Sequence, residues 1–232
     1  MTDIRQKLIP ALLLISSLLL VRNLYVIFLQ FGDEVNQGAI WRIFQFHLPS
    51  ALASFTGFYV AAGLSIMYLW KKDLKYDALS AVINEVSLVF ALVVLFTGMI
   101  WARIIWGVWW AVGDPRLTSY LVSILIYAGY LMLRKSVQDP AQRASLSAVL
   151  GIFGALDLII VWKSIEWWPS NHPSPVLSIR KGGGMPPGWE PLAYWNTLAI
   201  ILLAIVIIMI RLRQEKMQSE VDSLRRYAHT VA

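Results

Sequence analysis

Two histidines and a dense set of tryptophans carry the clearest chemistry in this sequence. His47 lies in the run Gln45-Phe46-His47-Leu48-Pro49, and His172 follows Trp167 and Trp168. Between them stand Trp101, Trp106, Trp109 and Trp110, with Asp114 and Arg116 close behind. An imidazole nitrogen can ligate a metal, indole rings stack on flat apolar surfaces, and a guanidinium pairs with carboxylates. An iron porphyrin needs all three: axial nitrogens, a stacking wall and partners for its propionates. On this reading His47 and His172 are axial ligands and Trp101, Trp106, Trp109 and Trp110 form a wall. Arg116, Arg103, Arg180 and Lys181 are then the candidate propionate partners. A single histidine is more often solvated, and a single interfacial tryptophan is usually an anchor. The argument rests on their falling together.

These residues must be positioned by membrane-spanning helices. The chain has 232 residues, 58% of them hydrophobic and 15% charged, with a mean hydropathy of +0.61. Globular chains are roughly 45–50% apolar, so a soluble enzyme is excluded. Apolar runs predict six spans at 8–29, 49–70, 78–100, 117–133, 144–165 and 192–210, each near the roughly 20 residues a bilayer-crossing helix needs. Pro49 reads as a first-turn residue of the second span, where its missing N–H is tolerated. The fold class is therefore all-α, and the chain divides into a six-span domain at 1–210 and an amphipathic tail at 211–232.

Six spans put both termini on one side. Arg5, Lys7, Lys71, Lys72, Lys75, Arg134, Lys135, Arg143 and the basic residues of the tail fall on that side, and fewer fall on the other. By the positive-inside rule the termini are cytoplasmic. The external segments are then 30–48, 101–116 and 166–191, and eight of the 11 Trp lie in or beside them. The net charge of +6 marks topology rather than a nucleic-acid partner, since the basic residues are scattered between spans. Cysteine is absent, so thiolate sites are excluded. Gly182 to Gly184 lack the Lys-Ser/Thr pair of a phosphate loop.

Three further features remain. Arg22 and Asp157 fall inside spans at similar depth, roughly 20 Å from the cytoplasmic ends at about 1.5 Å per residue, and are read as a structural ion pair between the first and fifth spans. Glu85 either serves a partner helix or bonds within the bundle. The segment 173–191, rich in Pro and Gly, reads as a lid or docking loop.

The string from Trp101 to Val122, WARIIWGVWWAVGDPRLTSYLV, resembles the tryptophan-rich signature of the haem-handling family of cytochrome c maturation, most closely its haem exporter protein C branch. Trp106, Gly107, Trp109, Trp110, Asp114, Arg116, Leu117, Thr118 and Ser119 match the signature, and both histidine contexts agree. Gly113 stands where the family carries a third Trp, and Pro115 follows Asp114, so one stacking surface is lost and the backbone is expected to bend differently. Asp114 is assigned to the cofactor-binding set, holding Arg116 or the turn at the start of the fourth span.

The resemblance implies a six-span inner-membrane subunit that binds haem b at the external, periplasmic face. It would pass haem to a membrane-anchored periplasmic haem chaperone and make no bond itself. The implied partners are ABC transporter ATPase and permease subunits and a small single-span subunit, besides the lipid bilayer. Two rivals are a b-type cytochrome exchanging electrons with quinone and a permease built around Arg22 and Asp157. The first usually holds its ligands along spans, whereas all three histidines here fall outside the predicted spans. The second leaves the one-sided tryptophans unexplained.

Overall fold

The computed structural model describes residues 2–173, 185 and 188–231, with side chains described from residue 7 and omitted at 219, 226 and 228–231. Six helices carry the chain: α1 (Thr2–Tyr25), α2 (Phe44–Lys71), α3 (Leu74–Ile105), α4 (Pro115–Ser136), α5 (Pro140–Trp167) and α6 (Trp189–Val231). A π-turn, Val26–Gln30, extends α1, and a 3₁₀ turn, Ala39–Ile43, leads into α2. Among the described residues there is no β-sheet. All six helices are long and apolar enough to cross a membrane. The protein is a multi-pass membrane protein.

Acidic residues cap three helices. Asp73 accepts from the Lys75 N–H, Asp114 from Arg116 and Leu117, and Asp139 from Gln142, with Pro115 and Pro140 supplying the preset φ of a first turn. The core joins α2, α3, α4 and α5 around Phe58, Leu88, Ala91, Ile124, Tyr127 and Leu158. Phe58 and Tyr127 stack with ring centroids 3.6 Å apart. Gly154 lets α5 approach this pair, since a Cβ there would meet Tyr127 Cζ at 2.9 Å. Small residues at such crossings permit the close packing that membrane helices rely on. At one end of the bundle Asp77 and Arg134 form a two-pronged, nearly buried ion pair between α3 and α4.

The helices run beyond the expected spans. α2 begins at Phe44 rather than at Pro49, which lies inside the helix and is fully buried. Proline there leaves the Gln45 carbonyl without its helical donor, and the Asn196 side-chain amide of α6 supplies one. Asn23 of α1 donates to Asn196, and Gln45 donates to the Trp189 carbonyl. Replacement of one missing N–H thus ties α1, α2 and α6 together next to His47. Trp101 likewise belongs to the last turn of α3, not to a loop. α6 continues unbroken from Trp189 past 210 to Val231.

The expected Arg22–Asp157 ion pair does not form. Arg22 donates to Asn23, and Asp157 accepts from Ser123 of α4. The reason is lateral: α1 packs chiefly on α6 and lies away from α5, so equal depth does not bring the two charges together. Glu85 bonds within the bundle, to Arg211 of α6 at 2.8 and 3.2 Å.

Candidate functional site

A cavity of about 380 Å³ opens where α3 and α5 end and α2 and α4 begin. That is within the range of small-molecule sites, roughly 300–1,000 Å³. His47, His172, Trp101, Trp106, Trp109, Trp110 and Arg116 all line it, although they come from α2, α3, α4 and the connections after α3 and α5. Trp41, Trp162 and Tyr120 complete the aromatic wall. Asp114 stands behind the wall and does not line the cavity.

His47 occupies the first turns of α2, within a helix able to cross the membrane, so the expectation that both ligands sit in loops fails for it. Its Nδ1 lies 3.0 Å from Thr97 Oγ1 of α3, and Trp101 meets its ring edge-on at 5.9 Å. Trp101 is held by its own Nε1–H, which donates to Gln37 at 2.7 Å. Trp41 stacks on Phe44 and touches Trp101 edge-on, which fixes that side of the wall.

His172 belongs to the segment after α5, and Asp114 attaches that segment to α4. One carboxylate oxygen, Oδ1, accepts the Arg116 and Leu117 N–H groups at 3.0 and 3.1 Å. The other, Oδ2, accepts from the Ser170 hydroxyl and the Asn171 N–H, both at 2.8 Å. Ser170 Oγ in turn accepts the His172 N–H at 3.0 Å. Asp114 is 6% exposed, so these are desolvated, charge-assisted bonds. Asp114 therefore engages the Arg116 backbone rather than its guanidinium, and its second role is to position His172.

The imidazole of His172 donates Nδ1–H to the Pro173 carbonyl at 2.9 Å, which leaves Nε2 as the nitrogen with a free lone pair. Burial, reinforced by the Arg116 charge, lowers its pKa from 6.5 to about 4, against the weaker opposing pull of the Pro173 carbonyl and Asp114. A neutral ring at physiological pH is the form that ligates a metal.

Among the described residues no carboxylate lies within ion-pair distance of the Arg116 guanidinium. A partly buried cation on an apolar wall, with only the more distant charge of Asp114 acting on it among the described residues, suits an anionic ligand edge. Arg103 does not line the cavity, because its guanidinium turns back to the Gly107 carbonyl. Arg180 and Lys181 lie outside the described residues. The connection after α3 turns at Gly107 and Gly113, with φ of 76° and 85°. Asp114 N–H closes on the Ala111 carbonyl at 3.1 Å, and Gly113 fills the position of that turn that requires positive φ. A tryptophan at Gly113 would be strained in this turn.

Thr97, Gly98, Ser170 and Asn171 contribute to the site without having been marked in the sequence. Thr97-Gly98 sits within an apolar run, and Ser170-Asn171 reads as ordinary turn composition.

Fold and cavity together define a multi-pass helical membrane protein with a cavity lined by two histidines, an arginine and several tryptophans. The profile of the heme exporter protein C family matches residues 1–227, and the chain belongs to that family. It is 31% identical to the heme exporter protein C of Bradyrhizobium diazoefficiens over 216 residues, 93% of this chain and 79% of the relative. It is 29% identical to the protein of that name from Paracoccus denitrificans over 184 residues, 79% of this chain and 76% of the relative. The Escherichia coli K12 protein of that name is 29% identical over 182 residues, 78% and 72% of the two chains.

Proposed function

We propose that this protein binds haem b in the tryptophan-walled cavity, with His47 and His172 as axial ligands, and presents it to an acceptor during cytochrome c maturation. One observation carries the reading: two imidazoles from distant parts of the chain line a single aromatic cavity beside the Arg116 guanidinium. Bound haem would supply an iron with two axial positions suited to imidazole nitrogen. Trp106, Trp109 and Trp110 would bear on the macrocycle, and Arg116 would meet a propionate.

The distribution of Lys and Arg supports cytoplasmic termini and, with them, a cavity at the external, periplasmic face of the inner membrane. Trp109, Trp167 and Trp168 stay about half exposed near the cavity, an apolar edge suited to an acceptor. By family likeness that acceptor is the membrane-anchored periplasmic haem chaperone. ABC transporter ATPase and permease subunits and a small single-span subunit are the companion chains, and the tail at 211–232 lies on the cytoplasmic side with them. In this reading the protein holds and hands on haem and is not an enzyme.

The test is the oxidised and reduced absorption spectrum of the purified chain in mild detergent. Wild type is expected to show a haem Soret band that His47→Ala and His172→Ala each shift or weaken, and that the double variant loses. Identical haem content and spectra in all four proteins would sink the assignment of the ligands.

A further inference from the structure

A histidine ligates through one ring nitrogen only if the other is held protonated, and His47 meets that condition through α3. Thr97 Oγ1 lies 2.7 Å from the Val93 carbonyl and 3.2 Å from that of Val94, so its single hydrogen is spent on its own helix. The same oxygen lies 3.0 Å from His47 Nδ1 and has lone pairs to offer. The bond therefore runs from the imidazole to the hydroxyl: Nδ1 carries the proton and Nε2 is bare. The opposite tautomer would put two lone pairs in contact or break the 2.7 Å bond to Val93.

The next residue, Gly98, makes the approach possible. A Cβ built there would lie 3.1 Å from His47 Cε1 and 3.7 Å from Nδ1, closer than the ring tolerates without moving. Trp101, one turn further along α3, presents its ring at 84° to the imidazole plane. One face of α3 thus meets His47 with an acceptor, a gap and a wall in succession. Gly63 of α2 and Gly129 of α4, by contrast, have nothing within 4 Å. Gly98 faces an imidazole.

We infer that Thr97 and Gly98 are positioning residues which set the tautomer and ring plane of His47 so that Nε2 is the nitrogen offered to haem iron. This rests on the ligand assignment made above. Outer partners of metal-bound histidines of this kind change affinity by about 10–100-fold when removed.

The test uses the full chain in lipid nanodiscs, labelled with ¹⁵N at its three histidines. The His47 resonances are identified by their loss in His47→Ala. Without haem, wild type is expected to show Nδ1 protonated and Nε2 bare. Thr97→Val is expected to give a tautomer mixture, and Thr97→Ser to restore the wild-type pattern. Gly98→Ala should keep the Nδ1 proton but tilt the ring. In haem titrations Thr97→Val and Gly98→Ala should each weaken binding by about 10-fold, with Thr97→Ser near wild type. An Nε2-protonated wild type, or a Thr97→Val ring with an unchanged tautomer, would overturn the inference about Thr97. Full haem affinity in Gly98→Ala would overturn the part assigned to Gly98. Because the nitrogen spectra need no haem, they stand apart from the ligand assignment, which fails separately if His47→Ala binds haem as wild type does.

Discussion

Replacing Asp114 separates two jobs that one carboxylate performs. In Asp114→Asn the amide oxygen can still cap α4 through the Arg116 and Leu117 N–H groups, but the amide nitrogen then faces the Asn171 N–H and the Ser170 hydroxyl. Ser170 can turn its hydroxyl and accept instead. The Asn171 N–H cannot, and it loses a bond to a charged acceptor worth about 1.5–3 kcal/mol. At about 1.4 kcal/mol per factor of ten, attachment of the segment carrying His172 weakens by roughly 10- to 150-fold. Asp114→Ala removes the cap as well, which costs about 0.5–2 kcal/mol of stability. Haem titration and thermal unfolding in detergent, run on both variants, distinguish the two effects. The expected pattern is a nearly unchanged melting temperature with weakened haem binding in Asp114→Asn, and losses in both for Asp114→Ala. If Asp114→Asn binds haem with wild-type affinity, Asp114 does not position His172 and the reasoning fails.

Protonation of His172 should follow from its depressed pKa. The stability linked to its neutral ring is present in full above about pH 6.5 and is lost as pH falls toward about 4, so hydrogen exchange of the 169–173 segment should quicken across that window and not above it. Arg116→Gln should move the His172 titration upward, only part of the way, since burial is the larger cause; an NMR titration reads this directly. Gly154→Ala should lower stability by about 1–3 kcal/mol, because the added methyl meets a rigid, stacked Tyr127, whereas Gly63→Ala and Gly129→Ala should be neutral or mildly stabilising in the same melting assay. Asp77→Ala should cost about 3–5 kcal/mol by leaving Arg134 as a buried unpaired charge, and Asp77→Ala with Arg134→Met should recover much of it.

The spans were legible because hydropathy reports burial in lipid directly, and the cluster of Trp, His and Arg was legible because unusual residues fell between the same pairs of spans. Helix ends were not. The run from Phe44 to Leu48 reads as loop because Gln45 and His47 interrupt the apolar pattern and Pro49 looks like a beginning. What keeps it helical is Asn196, 151 residues away, which satisfies the carbonyl that Pro49 leaves open. Arg22 and Asp157 show the complementary failure: distance along a helix gives depth but not the direction a side chain faces or which helix lies beside it. Thr97 and Gly98 left no trace, since a hydroxyl and a missing Cβ acquire meaning only when His47 is placed against them. Asp114 was legible as a cap, but its hold on Ser170 and Asn171 depends on the fold.

The two histidines are held unequally, and the difference bears on how a carrier can release what it binds. His47 rides on α2, which the Asn23, Asn196 and Gln45 network fixes to α1 and α6, while Thr97 fixes its ring. His172 rides on a connection whose described attachments are the hydrogen bonds of Asp114 and Ser170 and a local bond to Pro173. Opening a loop held by a few hydrogen bonds takes far less than unseating a packed helix. If the cavity holds haem as proposed, His172 on the loop would be the freer of the two to let go, while His47 on the helix would keep its place. A resident redox cofactor has no use for such asymmetry, since both of its ligands must stay. By this reasoning the fixed His47 and the tethered His172 favour a protein that presents haem over one that keeps it.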